Sequence, residues 1–258
     1  MTSHMHGDHD RDLLRQAKSV LRKQMRGLRA TFPARLLGDR ARKIGENVLA
    51  MRAYARAHAI VLSAVPSGQT GVDTTWLASQ ARAAGKVVAY PRVDLEAQRV
   101  QFHVVQDESQ LQSRGLATAE APAHCVCLSP DATTLLVVPV LAVDPTGVFL
   151  GDGSGCYDHA MRCSPDLVSV ALAYSFQLIP EAPRDADDAL VAWIATEDRV
   201  IAARASSADA SWDDATAGVR AAKEVDRANQ RNTDSGPDPH RGAGRRVGDR
   251  VGNRPKEN

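Results

Sequence analysis

The sequence predicts a three-layer α/β sandwich, with a mainly parallel sheet covered by helices and a disordered C-terminal tail. Three observations predict it. Short apolar, β-branched runs end in turn residues and are separated by stretches of helical period, the strand–helix–strand order of parallel crossovers. One of these runs, residues 134–140 (TLLVVPV), is apolar without alternation, as in a strand buried on both faces. From residue 205 onward the chain has hardly any large aliphatic side chain, so it has too little apolar surface to offset the entropy of ordering.

Residues 1–12 are polar and carry no periodic apolar face, so they read as a loose N-terminal tail. From Leu13, apolar residues at Leu14, Ala17, Val20, Leu21, Met25 and Leu28 recur at spacings of three and four among lysines and arginines, a basic amphipathic helix. Pro33 interrupts it, and a second helical pattern runs through Ile44, Val48, Leu49 and Met51. Residues 58–65 (HAIVLSAV) form a buried strand stopped by Pro-Ser-Gly, and residues 74–84 form a helix stopped by Gly85. Strands follow at residues 86–90, ending at Pro91, and at 100–105, which alternates as if one face met solvent. After the strand at 134–140 come a glycine-rich loop, a helix from Tyr157, and strands at 168–173 and 191–196. The expected organisation is therefore a tail (1–12), one α/β domain (13–204) and a second tail (205–258).

Hydrophobic residues make up 43% of the 258, enough for a sizeable core. Lysine plus arginine number 32 against 31 acidic residues, so no global field draws the chain onto nucleic acid or anionic lipid. The four cysteines, Cys125, Cys127, Cys156 and Cys163, lack the spacing of a disulfide framework, and no signal-type segment opens the chain. A reduced, cytoplasmic setting is expected. The longest apolar run, residues 135–143, is broken by Pro139 and falls far short of the roughly 20 residues that span a bilayer.

Three groups of residues invite a chemical reading. His4, His6, Asp8 and His9 have metal-ligand spacing, but no buried strand precedes them to hold a site. Cys125 and Cys127 beside His124 lack the second ligand pair of a structural metal site, and Cys156 and Cys163 read as small buried hydrophobes. The segment from Val138 to Asp158 (VPVLAVDPTGVFLGDGSGCYD) is more informative. An apolar strand passes through an Asp-Pro-Thr-Gly turn into Gly151-Asp-Gly-Ser-Gly155, with Tyr157 and Asp158 opening a helix. Glycines let backbone amides approach an anion, and the helix N-terminus adds partial positive charge. A phosphate cradle and a plain tight turn both fit. The loop matches neither the dinucleotide fingerprint, nor the P-loop, nor the nucleophile elbow.

The chain resembles the 5-formyltetrahydrofolate cyclo-ligase family, also called methenyltetrahydrofolate synthetases. Lys18-Ser-Val-Leu-Arg22 resembles that family's Lys-x-x-Leu-Arg on its first helix, and Val72-Asp-Thr74 the end of its Glu-Val-Asp-Thr motif. Tyr90-Pro-Arg92 resembles its post-strand Pro-Arg, and the Val138–Asp158 segment its glycine-rich signature ending in Tyr-Tyr-Asp. Ala171 to Gln177 and Ala195-Thr-Glu197 complete the order. The resemblance implies ATP-dependent cyclisation of 5-formyltetrahydrofolate to 5,10-methenyltetrahydrofolate by a monomer, with a reduced folate and ATP as its small-molecule partners.

The site residues follow from the same resemblance. It assigns catalysis to Lys18, Arg22 and Tyr157, and ATP binding to Lys18, Arg22, Gly151, Asp152, Gly153, Ser154, Gly155, Cys156, Tyr157 and Asp158. Substrate binding falls to Pro66 and Gly71, and Mg²⁺ binding to Asp158. Five positions depart from the family pattern: Asp152 and Ser154 in the loop, Cys156 where the first tyrosine is usual, Gly71 where a glutamate is usual, and Asp187, in Asp187-Asp188, where a His-Asp is common. These departures keep open a paralogue with another substrate, or a non-catalytic nucleotide-binding module.

Overall fold

The computed structural model describes residues 3–66, 69–97, 99–114 and 118–203. The expected C-terminal tail lies outside them. The chain opens with α1 (Ser3–Ala30), α2 (Ala34–Leu49) and the short α3 (Arg52–Arg56). β1 (Ala59–Val61), α4 (Thr75–Ala83) and β2 (Val87–Asp94) make the first parallel crossover. β3 (Arg99–Val104), β4 (Cys127–Leu128), β5 (Thr134–Pro139) and the hairpin β6 (Ala142–Val143) and β7 (Phe149–Leu150) follow. α5 (Cys156–Cys163), β8 (Val168–Leu172), β9 (Trp193–Ala195) and β10 (Val200–Ala202) complete the described fold.

Eight strands form one sheet in the order β10-β9-β8-β5-β1-β2-β3-β4. The five from β9 to β2 run parallel, and antiparallel strands close both edges. Alternation along the central strands supplies two apolar faces. Ile60, Leu62, Leu135 and Val137 pack under Leu37, Ile44 and Val48 of α2 and Leu77 and Ala81 of α4. Val61, Leu136, Val138 and Ala171 face the other way, against Ala160 and Met161 of α5. The expected three layers with a mainly parallel sheet are observed. Among the described residues, no helix is long and apolar enough to cross a membrane.

α1 begins at Ser3, ten residues before the apolar pattern starts. Once a helix is nucleated, each further residue adds one hydrogen bond, and no proline precedes Pro33, so the turns propagate outward. The exposed Asp12–Arg15 pair at 3.3 Å belongs to this extension. β2 runs through Pro91 to Asp94 instead of stopping before it. Its pairing with β1 ends at Ala89, so the missing proline N–H faces no partner strand, and farther along the buried Glu120 carboxylate accepts from Val93 N–H at 2.7 Å. β4, β6, β7 and β10 have only two or three residues, too few to show a period of two.

Topology positions the site. From β1 the chain moves to β2 on one side, and β5 later joins β1 on the other, so the order reverses between β1 and β5. Loops leaving the carboxyl ends of two such strands diverge and leave a crevice.

Candidate active site

A cavity of about 540 Å³ opens at that reversal. Its walls include Ser63 and Val65 after β1, Val137, Pro139 and Val140 at the end of β5, and one face of α1. Gln177, fully buried, fixes the chain beyond β5: its Nε2 donates to Val140 O at 3.0 Å and to Leu141 O at 2.9 Å, while its Oε1 accepts from Tyr174 N–H. Asp144, also buried, ties the following turn by accepting from Thr146 N–H, Thr146 Oγ1 and Ala182 N–H. α1 is seated by Leu21 and Met25, which pack on Leu141, Ala142 and Leu150 of the β6–β7 hairpin. The hairpin leads directly into residues 151–155, so this one apolar cluster docks the helix against the glycine loop.

The adjoining face of α1 carries Lys18, Arg22, Arg26 and Arg29, at spacings of four, four and three, and all four line the cavity. Lys18 Nζ lies 2.5 Å from an Asp188 carboxylate oxygen. Arg22 Nε donates to Gly151 O at 3.0 Å, and Arg26 Nη2 to Asp152 O at 3.4 Å. Burial pulls the Arg22 pKa below the usual arginine value, with Arg26 adding to the shift and Asp152, Asp188 and Asp158 opposing it. The helix thus holds the loop by two of its carbonyls.

Gly153 has φ +110° and Gly155 φ +70°. A Cβ on Gly153 would stand 3.2 Å from Arg22 Cζ, so glycine serves both the backbone angle and the approach of the guanidinium. Gly155 precedes α5 without a side-chain cap. The Asp152 carboxylate is turned back to accept from Ser154 N–H at 3.0 Å, and the residue is exposed. Asp158 accepts from Ala189 N–H at 3.0 Å, and its pKa is raised, first by burial and then by neighbouring Asp188, against that hydrogen bond. Burial likewise raises the Tyr157 phenol, against the nearby Ser63 hydroxyl; among the described residues its shielded oxygen has no hydrogen bond of good geometry. Such an orphaned polar atom on a cavity wall is a place for a ligand to bond.

Most of the residues named from the sequence converge here: Lys18, Arg22, Gly151, Asp152, Gly153, Ser154, Gly155, Tyr157 and Asp158 all line the cavity. Gly71 lines it too, but through its backbone. Its carbonyl accepts from Tyr174 Oη at 2.7 Å, and a Cβ there would meet Val65 Cγ2 at 2.6 Å. Pro66 and Cys156 are buried and are not among the lining residues; the Cys156 thiol points to Ser154 O at 3.8 Å. Cys163 is exposed, not buried as expected, with its sulfur 3.4 Å from His159 Nε2 one turn back. Among the described residues no three His, Cys, Asp or Glu gather to hold a metal. Sequence reasoning missed Arg26, Arg29, Ser63 and Asp188 as wall residues. The first two continue the Lys18–Arg22 spacing and were legible in it; Asp188 sits in an irregular loop that no period marks.

The sequence model of the 5-formyltetrahydrofolate cyclo-ligase family matches residues 14–197. The chain belongs to this family. The cyclo-ligase fold recurs in the solved structure of the 5,10-methenyltetrahydrofolate synthetase of Aquifex aeolicus, 26% identical with a TM-score of 0.60, over 72% of this chain and 93% of that one. The 5,10-methenyltetrahydrofolate synthetase of Mycoplasma pneumoniae shares the fold at 18% identity and a TM-score of 0.55, over 70% of this chain and 98% of that one. No curated protein matches the sequence.

Proposed function

We propose that this cyclo-ligase family member converts 5-formyltetrahydrofolate to 5,10-methenyltetrahydrofolate, consuming ATP and releasing ADP and phosphate. The observation that carries the reading is the meeting of Lys18 and Arg22 with the Gly151–Gly155 loop at the topological switch point. In the reaction the formyl oxygen attacks the γ-phosphorus and ADP leaves. The second folate nitrogen then attacks the activated carbon, its proton passes to the departing phosphate, and phosphate leaves with the former formyl oxygen. Phosphoryl transfer of this kind asks for positioning and neutralisation of charge more than for a protein nucleophile. Lys18 and Arg22 supply positive charge at the phosphates, trading Asp188 and Gly151 O for phosphate oxygens. The loop amides and the α5 N-terminus hold the remaining oxygens. Tyr157 Oη donates to whichever oxygen reaches it, which satisfies its missing hydrogen bond.

Asp158 and Asp188 fit a Mg²⁺ carried on a nucleotide, a cation that binds through one or two carboxylates with phosphate oxygens and water. A bound cation would offset the Asp188 repulsion that, after burial, raises the Asp158 pKa. When bound, Mg²⁺ neutralises charge on the phosphates.

The test is product formation by the purified protein with 5-formyltetrahydrofolate, ATP and Mg²⁺, followed by the absorbance of the methenyl chromophore. ATP-dependent product is expected. Gly71, where a glutamate is usual, favours a second reading in which the same site serves another substrate; protection against heat by MgATP without product is its signature.

A further inference from the structure

α1 delivers cations to two separate ends of the cavity. Lys18 and Arg22 meet the glycine loop and Asp188. Arg29 lies about 10 Å beyond Arg22 along the helix axis, at about 1.5 Å per residue, beside Gln69, Thr70 and Gly71. Of the other partly buried arginines, Arg40 pairs with Glu197 at 3.1 Å and Arg82 with Glu108 at 2.7 Å, whereas Arg22 and Arg92 donate to the carbonyls of Gly151 and Ala121. Arg29 Nε donates to the Thr70 hydroxyl at 3.2 Å, and among the described residues no carboxylate lies within ion-pair distance of it. Burial lowers its pKa, with Tyr174 opposing the shift and Arg26 adding to it. The acidic residues of the cavity wall, Asp152, Asp158 and Asp188, belong to the glycine loop and to α5 with its facing loop; the Gln69–Val72 stretch beside Arg29 contributes none.

A desolvated cation without a counter-ion is unfavourable in the empty protein and favourable once a ligand brings the anion. With Nε committed to Thr70, both terminal amino groups of Arg29 are left to form the two parallel hydrogen bonds that a carboxylate accepts. We propose that Arg29 is a substrate-reading residue that binds a carboxylate of the glutamate end of 5-formyltetrahydrofolate, while Lys18 and Arg22 hold the phosphates at the other end. The identity of the ligand rests on the cyclo-ligase reading; the demand for an anion at this end comes from Arg29 itself. A lysine places one point charge there and lacks the fork, so it is a partial substitute.

The experiment measures calorimetric binding of 5-formyltetrahydrofolate and of its α,γ-diamide, which is uncharged at the glutamate end, to the full-length protein and to Arg29→Gln and Arg29→Lys. The parent protein is expected to prefer the diacid by about 10- to 100-fold, the range of a charge-assisted contact. Arg29→Gln should bind both ligands as the parent binds the diamide, Arg29→Lys should recover part of the preference, and MgATP binding should be unchanged in both. Equal binding of diacid and diamide by the parent overturns the proposal, as does equal weakening of both ligands by Arg29→Gln, or no diacid binding at all. If Arg29→Gln does not fold, the diacid–diamide comparison and Arg29→Lys decide the matter. Preference for the diacid without methenyl product sinks the cyclo-ligase reading and leaves Arg29 its role; product without the preference does the reverse.

Discussion

Asp158 is held in a position that favours its neutral form. It is partly buried beside Asp188, and its raised pKa means that the folded state binds a proton more tightly than the unfolded chain does. The penalty is present at pH values above the folded pKa and fades as pH falls toward the ordinary carboxylate value near about 4. Asp158→Asn keeps an oxygen to accept the Ala189 N–H and removes the charge. The variant should melt at a higher temperature than the parent at pH 7, with the difference shrinking as pH falls toward the ordinary carboxylate range. It should also lose at least about 100-fold in ATP-dependent turnover if this carboxylate serves the metal. Melting curves across pH, with no nucleotide present, check the first part; an unchanged difference at low pH would contradict it. Asp152 gives the opposite lesson. Its carboxylate is exposed and caps Ser154 N–H, yet its charge is felt by Arg22. Asp152→Asn retains the turn and should tighten MgATP by about 2- to 5-fold at low salt, less at high salt. Titration calorimetry at two ionic strengths reads this, and an unaltered affinity would show that residue 152 does not face the phosphates. Residue types on a regular period, Lys18 through Arg29, were legible in the sequence. Asp188 was visible only through the family resemblance and Ser63 not at all, because only the fold brings them to the cavity wall.

Helices and strands were legible in proportion to their length and burial. α2, α4 and β5 appear where the apolar pattern puts them, since each buries a continuous face. α3, β4 and β10 escaped, being set by neighbours rather than by their own period. The contact between α2 and α4 turns on a residue that pattern reading passes over. A Cβ on Gly45 would stand 2.9 Å from two ring carbons of Trp76, and the other constraint on that ring is Arg42, whose guanidinium carbon lies 4.1 Å from the ring centroid. Helix propensity alone favours Gly45→Ala by about 1 kcal/mol. Crowding against the ring opposes it by about 1–3 kcal/mol, so the variant should be destabilised or at best neutral. The urea midpoint decides, and a clear gain in stability would show that Trp76 moves aside freely. Since neither Gly45 nor Trp76 lines the cavity, turnover at temperatures well below melting should be kept.

At the scale of the molecule, the site exists because the sheet order reverses between β1 and β5 and because α1 lies across the opening thus made. Neither relation is written in a local pattern: the sequence shows which runs become strands, whereas their order depends on contacts between residues far apart, such as Val61 with Leu136. The described fold closes where β10 pairs with β9 and Ala203 N–H reaches Ala192 O, and the family match ends at residue 197. Everything assigned to binding lies before that point. Residues 205–258 bring no large aliphatic cluster to a core, by composition. Truncation after Arg204 is therefore expected to leave turnover and the MgATP-induced rise in melting temperature within about 2-fold of the full chain, the scale of changes away from packed or ligand-binding groups. A loss of turnover with nucleotide protection intact would place part of the tail at the substrate end, near Arg29 rather than Lys18. Loss of both would mean that the domain needs the tail to fold, and that its core is larger than residues 13–204.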